Sequence, residues 1–367
     1  MNTKYTIVAI IAIAILVCAV VAYTYSNATE TVILNGAGAS FPYPFLDRMI
    51  TEYQSTVKPN LQINYQPSGS GAGITALTDK TVDFAASDAP LSASEAQKAP
   101  NTLHIPETIG AITVAYNIGG VSSGLKLTGQ VVADIFEGKI TMWNDPAITS
   151  LNPGVTLPAA TINTVHRSDS SGTSFIFTSY LSAVSSSWKN NIGSGKSVAW
   201  PDANAVGSQG NTGVASTVSS TANSVGYVEL AYALQTDMTV AAIKNPLGNY
   251  VMPTLGSTTA AAQVVASSGL PAGNADWSNV NLLNANNADA YPIVGFSYIM
   301  VYKELTVIPG MTKERATELV QFLWYMIHDG QKLANSLEYA PLPSNVVALN
   351  AATIQSITFD GQTLPTS

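Results

Sequence analysis

The chain has 367 residues, 46% hydrophobic and only 10% charged, so it can bury sizeable cores in roughly two domains and is no disordered polypeptide. A net charge of -8 excludes a nucleic-acid binder, because nothing neutralises a run of phosphates, but it leaves room for one small anion held by backbone N–H groups and an arginine. One cysteine, Cys18, and three scattered histidines, His104, His166 and His328, exclude an intramolecular disulfide, a thiol nucleophile in the folded part and a helical two-histidine metal motif, so no metal or other cofactor is expected.

No residue from Tyr5 to Thr29 is charged. Roughly 18 strongly apolar positions from Ile7 to Thr24 match the length needed to cross a bilayer, and Lys4 ahead of them orients the rest of the chain outward. Residues 1–29 are therefore expected to be an N-terminal anchor or signal segment. A cut after Ala22 is permitted, while lipid attachment at Cys18 is disfavoured by bulky Val17. Asn27-Ala28-Thr29 fits the N-glycosylation acceptor pattern. Each reading places residues 30–367 outside the cytoplasm, and an anchor at residues 7–24 would hold them at the cell surface.

In chain order, Val32–Leu34 reads as a strand running into the turn-rich GAGASFPYP segment, Gly36 to Pro44. A helix follows, with Phe45, Met49 and Tyr53 at four-residue spacing beside Leu46 and Ile50. Ile63–Gln66 is a second strand, followed by the Ser/Gly loop from Pro67 to Gly73 and a short helix carrying Ile74 and Leu77. Val82–Ala86 is a third, ending in Ser87-Asp88-Ala89-Pro90. This alternation implies an open α/β sheet, whose ligands bind beyond the carboxyl ends of the strands. Ala111–Asn117 and Pro292–Tyr302 read as apolar strands crossing between two lobes. Lobe 1 would comprise residues 30–110 with 292–367, and lobe 2 residues 111–291.

Within the second lobe, a helix is expected near Gln130–Glu137 and a strand at Ile162–Val165. The run RSDSSGTS, Arg167 to Ser174, then opens a helix with Ile176, Phe177, Tyr180, Leu181 and Val184 on its apolar face. Residues 202–224, rich in Gly, Ser, Thr and Asn, precede the strand Gly226-Tyr227-Val228 and read as a loop with a short helix rather than a linker. The clearest helix is 312–329, with Thr312 as N-cap, Leu319, Phe322, Leu323, Met326 and Ile327 buried, and Gly330 past its end. No internal repeat is visible.

Three Ser/Thr/Gly loops and one acidic loop carry the candidate chemistry. A tetrahedral oxyanion needs many converging donors, and helix N-termini supply free N–H groups with a favourable dipole. Glycine admits close backbone approach and hydroxyls add donors. Ser40 with the Phe41 N–H, Ser70, and Ser171-Gly172-Thr173 offer such contacts. Arg167 brings a planar fork suited to two oxygens at once. Singly, such features are more often helix caps, turns or surface ion pairs than ligand contacts.

Together and in order they resemble the phosphate-binding protein of high-affinity phosphate ABC importers, in the periplasmic-binding-protein-like family. The carriers are GAGASFPYP (36–44), NYQPSGSGAG (64–73), VDFAASDAPL (82–91) and RSDSSGTSF (167–175). Weaker echoes lie at 135–143, 151–154 and 226–229. The resemblance implies a two-lobed type II fold, each lobe an open mixed sheet flanked by helices, the lobes joined by two crossover strands. It implies phosphate contacts from Ser40, the Phe41 amide, Ser70, Asp88, Arg167, Ser171, the Gly172 amide and Thr173, with no catalysis. The partners implied are inorganic phosphate and the permease and ATPase subunits of the importer. The chain is expected to act as a monomer. Thr212 stands where an acidic residue is common in the Gly-Asn-x-Gly segment.

Arg167 is expected to set affinity and Asp88 selectivity. A carboxylate accepts a hydrogen bond from a P–OH, whereas sulfate has no proton near neutral pH and meets Asp88 as like charge. The unliganded lobes are expected to hinge apart, and phosphate to favour closure. The competing readings are a receptor for sulfate, molybdate or tungstate, and a phosphate-binding surface sensor or adhesion protein. An enzyme is disfavoured, because the Gly-x-Ser-x-Gly elbow is missing and no Ser/His/acid set stands at motif spacing.

Overall fold

In the computed structural model the described residues are 31–202, 205–266 and 269–366; the predicted anchor, Cys18 and Asn27 lie outside them. Among the described residues no helix is long and apolar enough to cross a membrane.

The sheet is built from β1 (Val32–Gly38), β2 (Leu61–Gln66), β3 (Phe84–Ser87), β4 (Thr102–Asn117), β5 (Asn163–Arg167), β6 (Val206–Ser208), β7 (Ser224–Glu229), β8 (Thr239–Val240) and β9 (Val294–Tyr302). Their order is β2-β1-β3-β9-β4-β7-β5-β6, with β8 beside β4. β1 runs parallel to β2 and β3, and β5 parallel to β6 and β7. β9 is antiparallel to both β3 and β4. The fold is thus a mixed α/β periplasmic-binding-protein-like architecture, with parallel strand–loop–helix units at both ends and antiparallel strands between them.

β4 is the longest strand and begins nine residues before the predicted Ala111. The stretch from Thr102 to Gly110 includes His104, Pro106 and Glu107, polar or strand-breaking residues that interrupt an apolar pattern. Every residue from Thr102 to Gly110 is nevertheless buried, because both faces of this central strand are covered. Pro106 cannot donate to the ladder, and the β4–β9 register shifts there, at Ser297/Tyr298; a proline in a central strand is tolerated at such a bulge. Pairing also changes along β4: Thr102–Ala111 pair with β9, and Ile112–Asn117 with β7.

The helices that matter for the site are α1 (Tyr43–Thr56), α2 (Ser70–Thr78), α3 (Gly172–Val184), α4 (Gly210–Ser220) and α5 (Lys313–Ile327). In α1 the four-residue spacing buries Phe45, Leu46, Met49, Ile50 and Tyr53. α5 is capped by Thr312, whose hydroxyl accepts from the Arg315 N–H, and it buries all five predicted residues. It ends at Ile327, and Gly330 lies buried inside a following 3-10 segment, Asp329–Leu337, rather than marking a stop. Arg315 pairs with fully buried Asp83 at 2.7 Å, tying α5 to the sheet beside β3. One hydrophobic cluster runs through most of the molecule. A smaller one, including Ala115, Val165, Val214 and Val228, underlies α4.

Candidate phosphate site

The candidate residues follow carboxyl ends of strands, as an open parallel sheet dictates. Ser40 and Phe41 follow β1, Ser70 starts α2 after β2, Asp88 follows β3, and Arg167 ends β5. Ser171 caps α3, its hydroxyl accepting from the Ser174 N–H at 3.1 Å, so the Gly172 and Thr173 amides occupy the positive end of that helix. Every one of these side chains is buried: Ser40 and Arg167 retain 5% and 4% exposure, and Ser70, Ser171 and Thr173 none. Arg167 is therefore no surface ion-pair residue: its pairing with Asp169 is made in the interior.

The two ends of the sheet meet through these groups. The Ser70 hydroxyl accepts from the Asp88 N–H at 3.2 Å and from the Gly172 N–H at 3.0 Å. The Ser40 hydroxyl accepts from the backbone and side-chain N–H groups of Asn211, both at 3.1 Å. Thr173 Oγ1 accepts from Arg167 Nη1 and from Asn211 Nδ2, each at 3.2 Å. The Gly71 N–H donates to the Ser170 carbonyl, and Lys196 grips Glu95 across the cleft at 2.7 Å. The arrangement is a closed one, with N–H donors from both sides converging on a few hydroxyl oxygens.

Close approach requires glycine at two of these positions. A Cβ on Gly172 would sit 2.5 Å from Ser70 Oγ and 2.6 Å from both Cβ and Oδ2 of Asp88. Gly69 has φ +100° and a Cβ there would meet Asp169 Oδ2 at 2.4 Å, so any side chain is excluded on both backbone and steric grounds.

Several partners were not predicted. Asp169 takes the fork of Arg167 through Nε, at 2.7 Å, and Nη2, and also accepts from the Gly210 N–H. Its acid-two-after-arginine placement was legible in the motif. Asn211 joins Ser40 to Thr173 and accepts from the Glu229 N–H at 3.1 Å; neighbouring glycines were its only signal. Thr212, the position of departure from the family pattern, instead lines a groove of about 1020 Å³ between α1 and α4, with Tyr43 and Tyr232. Ser297 on β9 donates to Asp88 Oδ1 at 2.9 Å, and nothing in an apolar strand marked it. Among the described residues no cluster of three or more His, Cys, Asp or Glu side chains is arranged to hold a metal ion.

The electrostatics are dominated by burial. It pushes Asp88 up to about 7 despite opposing help from the Ser297 hydroxyl and the Arg167 charge, and Glu107 up to about 8. Glu229 is likewise held well above the usual carboxylate range by burial, against a hydrogen bond from Tyr339. Asp169 is also desolvated, yet Arg167 holds it below its ordinary value. The three raised groups bind protons in the folded state that the unfolded chain releases above about pH 4. Stability of the unliganded protein is therefore expected to decline as the pH rises from about 5 to about 8, with a higher thermal midpoint at pH 5 than at pH 8. An unchanged or inverted profile in a calorimetric scan would contradict the assignment.

A model of the PBP superfamily domain matches residues 25–329. The chain is 43% identical over 327 residues to the phosphate-binding protein PstS of Xylella fastidiosa, covering 87% of this chain and 84% of that one. The chain belongs to the PstS family of phosphate-binding proteins. The PstS of Methanocaldococcus jannaschii is 37% identical over 337 residues, covering 88% of this chain and 86% of its own length. The fold also matches a high-affinity periplasmic phosphate-binding protein solved with phosphate bound: the TM-score is 0.68 at 20% identity, covering 87% of this chain and 93% of the other. PstS proteins are extracytoplasmic substrate-binding proteins and do not constitute an enzyme family.

Proposed function

We propose that this protein captures inorganic phosphate outside the cytoplasm and delivers it to the permease and ATPase subunits of an ABC importer, without catalysing a reaction. The observation that carries this reading is the convergence of the Ser40, Ser70, Asp88, Arg167 and Thr173 side chains with the Gly172 N–H across one buried cleft. In the bound state, phosphate oxygens take the place of the hydroxyl oxygens as acceptors for the converging N–H groups, including that of Phe41, while the Ser40, Ser70, Ser171 and Thr173 hydroxyls turn to donate. Charge-assisted hydrogen bonds contribute about 1.5 to 3 kcal/mol each, so a handful exceeds the roughly 8 kcal/mol of a micromolar complex even after desolvation.

Two lobes are proposed, residues 30–110 with 292–367 and residues 111–291, hinged at β4 and β9. The support is that β4 changes partner between Ala111 and Ile112. Because each lobe supplies ligands, phosphate stabilises the closed form, and the importer reads closure of a monomeric receptor. Residues 7–24 are proposed as the membrane tether. Their apolar length after Lys4 supports it, as does the family match starting just beyond, at residue 25.

Equilibrium dialysis with labelled phosphate tests the reading: retention that survives excess sulfate, molybdate or tungstate is expected, and displacement by one of these reassigns the ligand. Turnover of a chromogenic phosphate ester would contradict the absence of catalysis. Closure has its own test in Gly172→Ala. Its Cβ would sit 2.5 Å from Ser70 Oγ in the closed arrangement, and because the proposed opening would relieve that clash, phosphate affinity should drop by about tenfold or more with little change in the unliganded thermal midpoint. X-ray scattering of the phosphate-loaded variant should give a larger radius of gyration than the loaded parent. Parental affinity and radius would refute the closing contact.

A further inference from the structure

The β4–β9 bulge has a chemical result. Ser297 pairs with Thr108 and Tyr298 with Pro106, which leaves Glu107 as the extra residue on β4, and bulges of this kind re-aim a side chain. Glu107 is fully buried, as is Ser297. The Ser297 hydroxyl lies 2.9 Å from Asp88 Oδ1 and 3.1 Å from Glu107 Oε1. A hydroxyl has one proton to donate. It cannot serve two carboxylates, so one of the pair must be a neutral acid that donates to the hydroxyl oxygen.

The neighbours decide which. Asp88 faces the Arg167 charge, with Asp169 opposing it. Glu107 faces Asp88 as like charge, and its second oxygen, Oε2, has no hydrogen-bond partner. We propose that Glu107, held as the neutral acid, acts through Ser297 to keep Asp88 ionised and fixed, making Glu107 and Ser297 positioning residues for the discrimination between protonated and unprotonated oxyanions. In this chain Glu107 donates to Ser297, Ser297 donates to Asp88 Oδ1, and Asp88 Oδ2 remains beside Gly172, where it accepts from the ligand's P–OH. The shift of Glu107 to about 8 by burial agrees. The inference rests on the phosphate reading of the site.

As pH rises through that value Glu107 ionises, two carboxylates compete for one hydroxyl proton, and the alignment of Asp88 is lost. The test is calorimetry on the full chain from pH 6 to pH 9 with sodium phosphate and sodium sulfate, comparing the parent, Ser297→Ala and Glu107→Gln. Glutamine supplies an N–H donor that cannot ionise. The Glu107→Gln protein should therefore keep the parental phosphate preference at pH 7 and show a shallower loss of affinity above pH 8. Ionisation of phosphate itself is common to both proteins and cancels in the comparison. Ser297→Ala should cut the phosphate-over-sulfate ratio at pH 8 by about tenfold or more. A ratio within about twofold of the parent in Ser297→Ala, or an alkaline profile in Glu107→Gln identical to the parent's, overturns the proposal. Should Ser297→Ala not fold, the glutamine variant decides alone. A parent that binds no phosphate would instead overturn the ligand reading itself.

Discussion

Arg167→Ala is expected to weaken phosphate binding by about 10²- to 10³-fold. Arg167 is buried, splits its fork between Asp169 and Thr173, and its charge offsets those of Asp88 and Asp169. Removing it would delete the proposed charge-assisted contact to the anion and strand Asp169 as an uncompensated buried carboxylate. Truncating one partner of a buried, hydrogen-bonded charge contact to a ligand costs about 2 to 5 kcal/mol of binding, and each 1.4 kcal/mol is about tenfold in affinity. Lysine should not restore binding, because a single ammonium cannot hold Asp169 through two nitrogens and still reach Thr173 and the ligand. Titration calorimetry of Arg167→Ala and Arg167→Lys checks both statements; affinity within about threefold of the parent in Arg167→Ala would remove arginine from the site.

The second large effect belongs to selectivity. Asp88→Asn replaces an acceptor by an amide whose N–H₂ can donate to any oxyanion, so phosphate and sulfate should become similar ligands. A site built around a ligand hydroxyl rejects an analogue lacking it by roughly 10⁴-fold, and most of that margin should disappear. The same loss should be reached reversibly in the parent. Asp88 titrates at about 7, raised first by burial, so below that pH it becomes a neutral acid able to donate to sulfate. Competition between the two anions is expected to be one-sided at pH 8 and much less so at pH 5.5. A preference for phosphate that is untouched in Asp88→Asn would show that the discrimination resides elsewhere, in the hydroxyl cluster or in Asn211.

The parts of the molecule legible in the sequence are those whose signal is local. Helix α5 could be read from its cap and periodic apolar face, and the loops around Ser40, Ser70, Asp88 and Arg167 announced themselves by glycine, hydroxyl and charge in a strand–loop–helix context. What escaped depends on pairing between distant segments. The first part of β4 looked unlike a strand because His104, Pro106 and Glu107 break the apolar pattern, yet β9 and a bulge accommodate them. Ser297 sits within a run of apolar residues, and its proximity to Asp88 arises only because β9 lies between β3 and β4. Asn211 lies in a polar stretch whose composition resembles a loop; its role emerges when α4 brings it between Ser40 and Thr173.

The central claim is that a buried carboxylate admits an oxyanion bearing a proton and refuses one without. The most direct measurement is titration calorimetry at pH 8 of protein freed of anion by partial unfolding and refolding, first with phosphate and then with sulfate. The account predicts one-to-one phosphate binding at micromolar or tighter dissociation constant and no heat from sulfate; sulfate binding of comparable strength would contradict it.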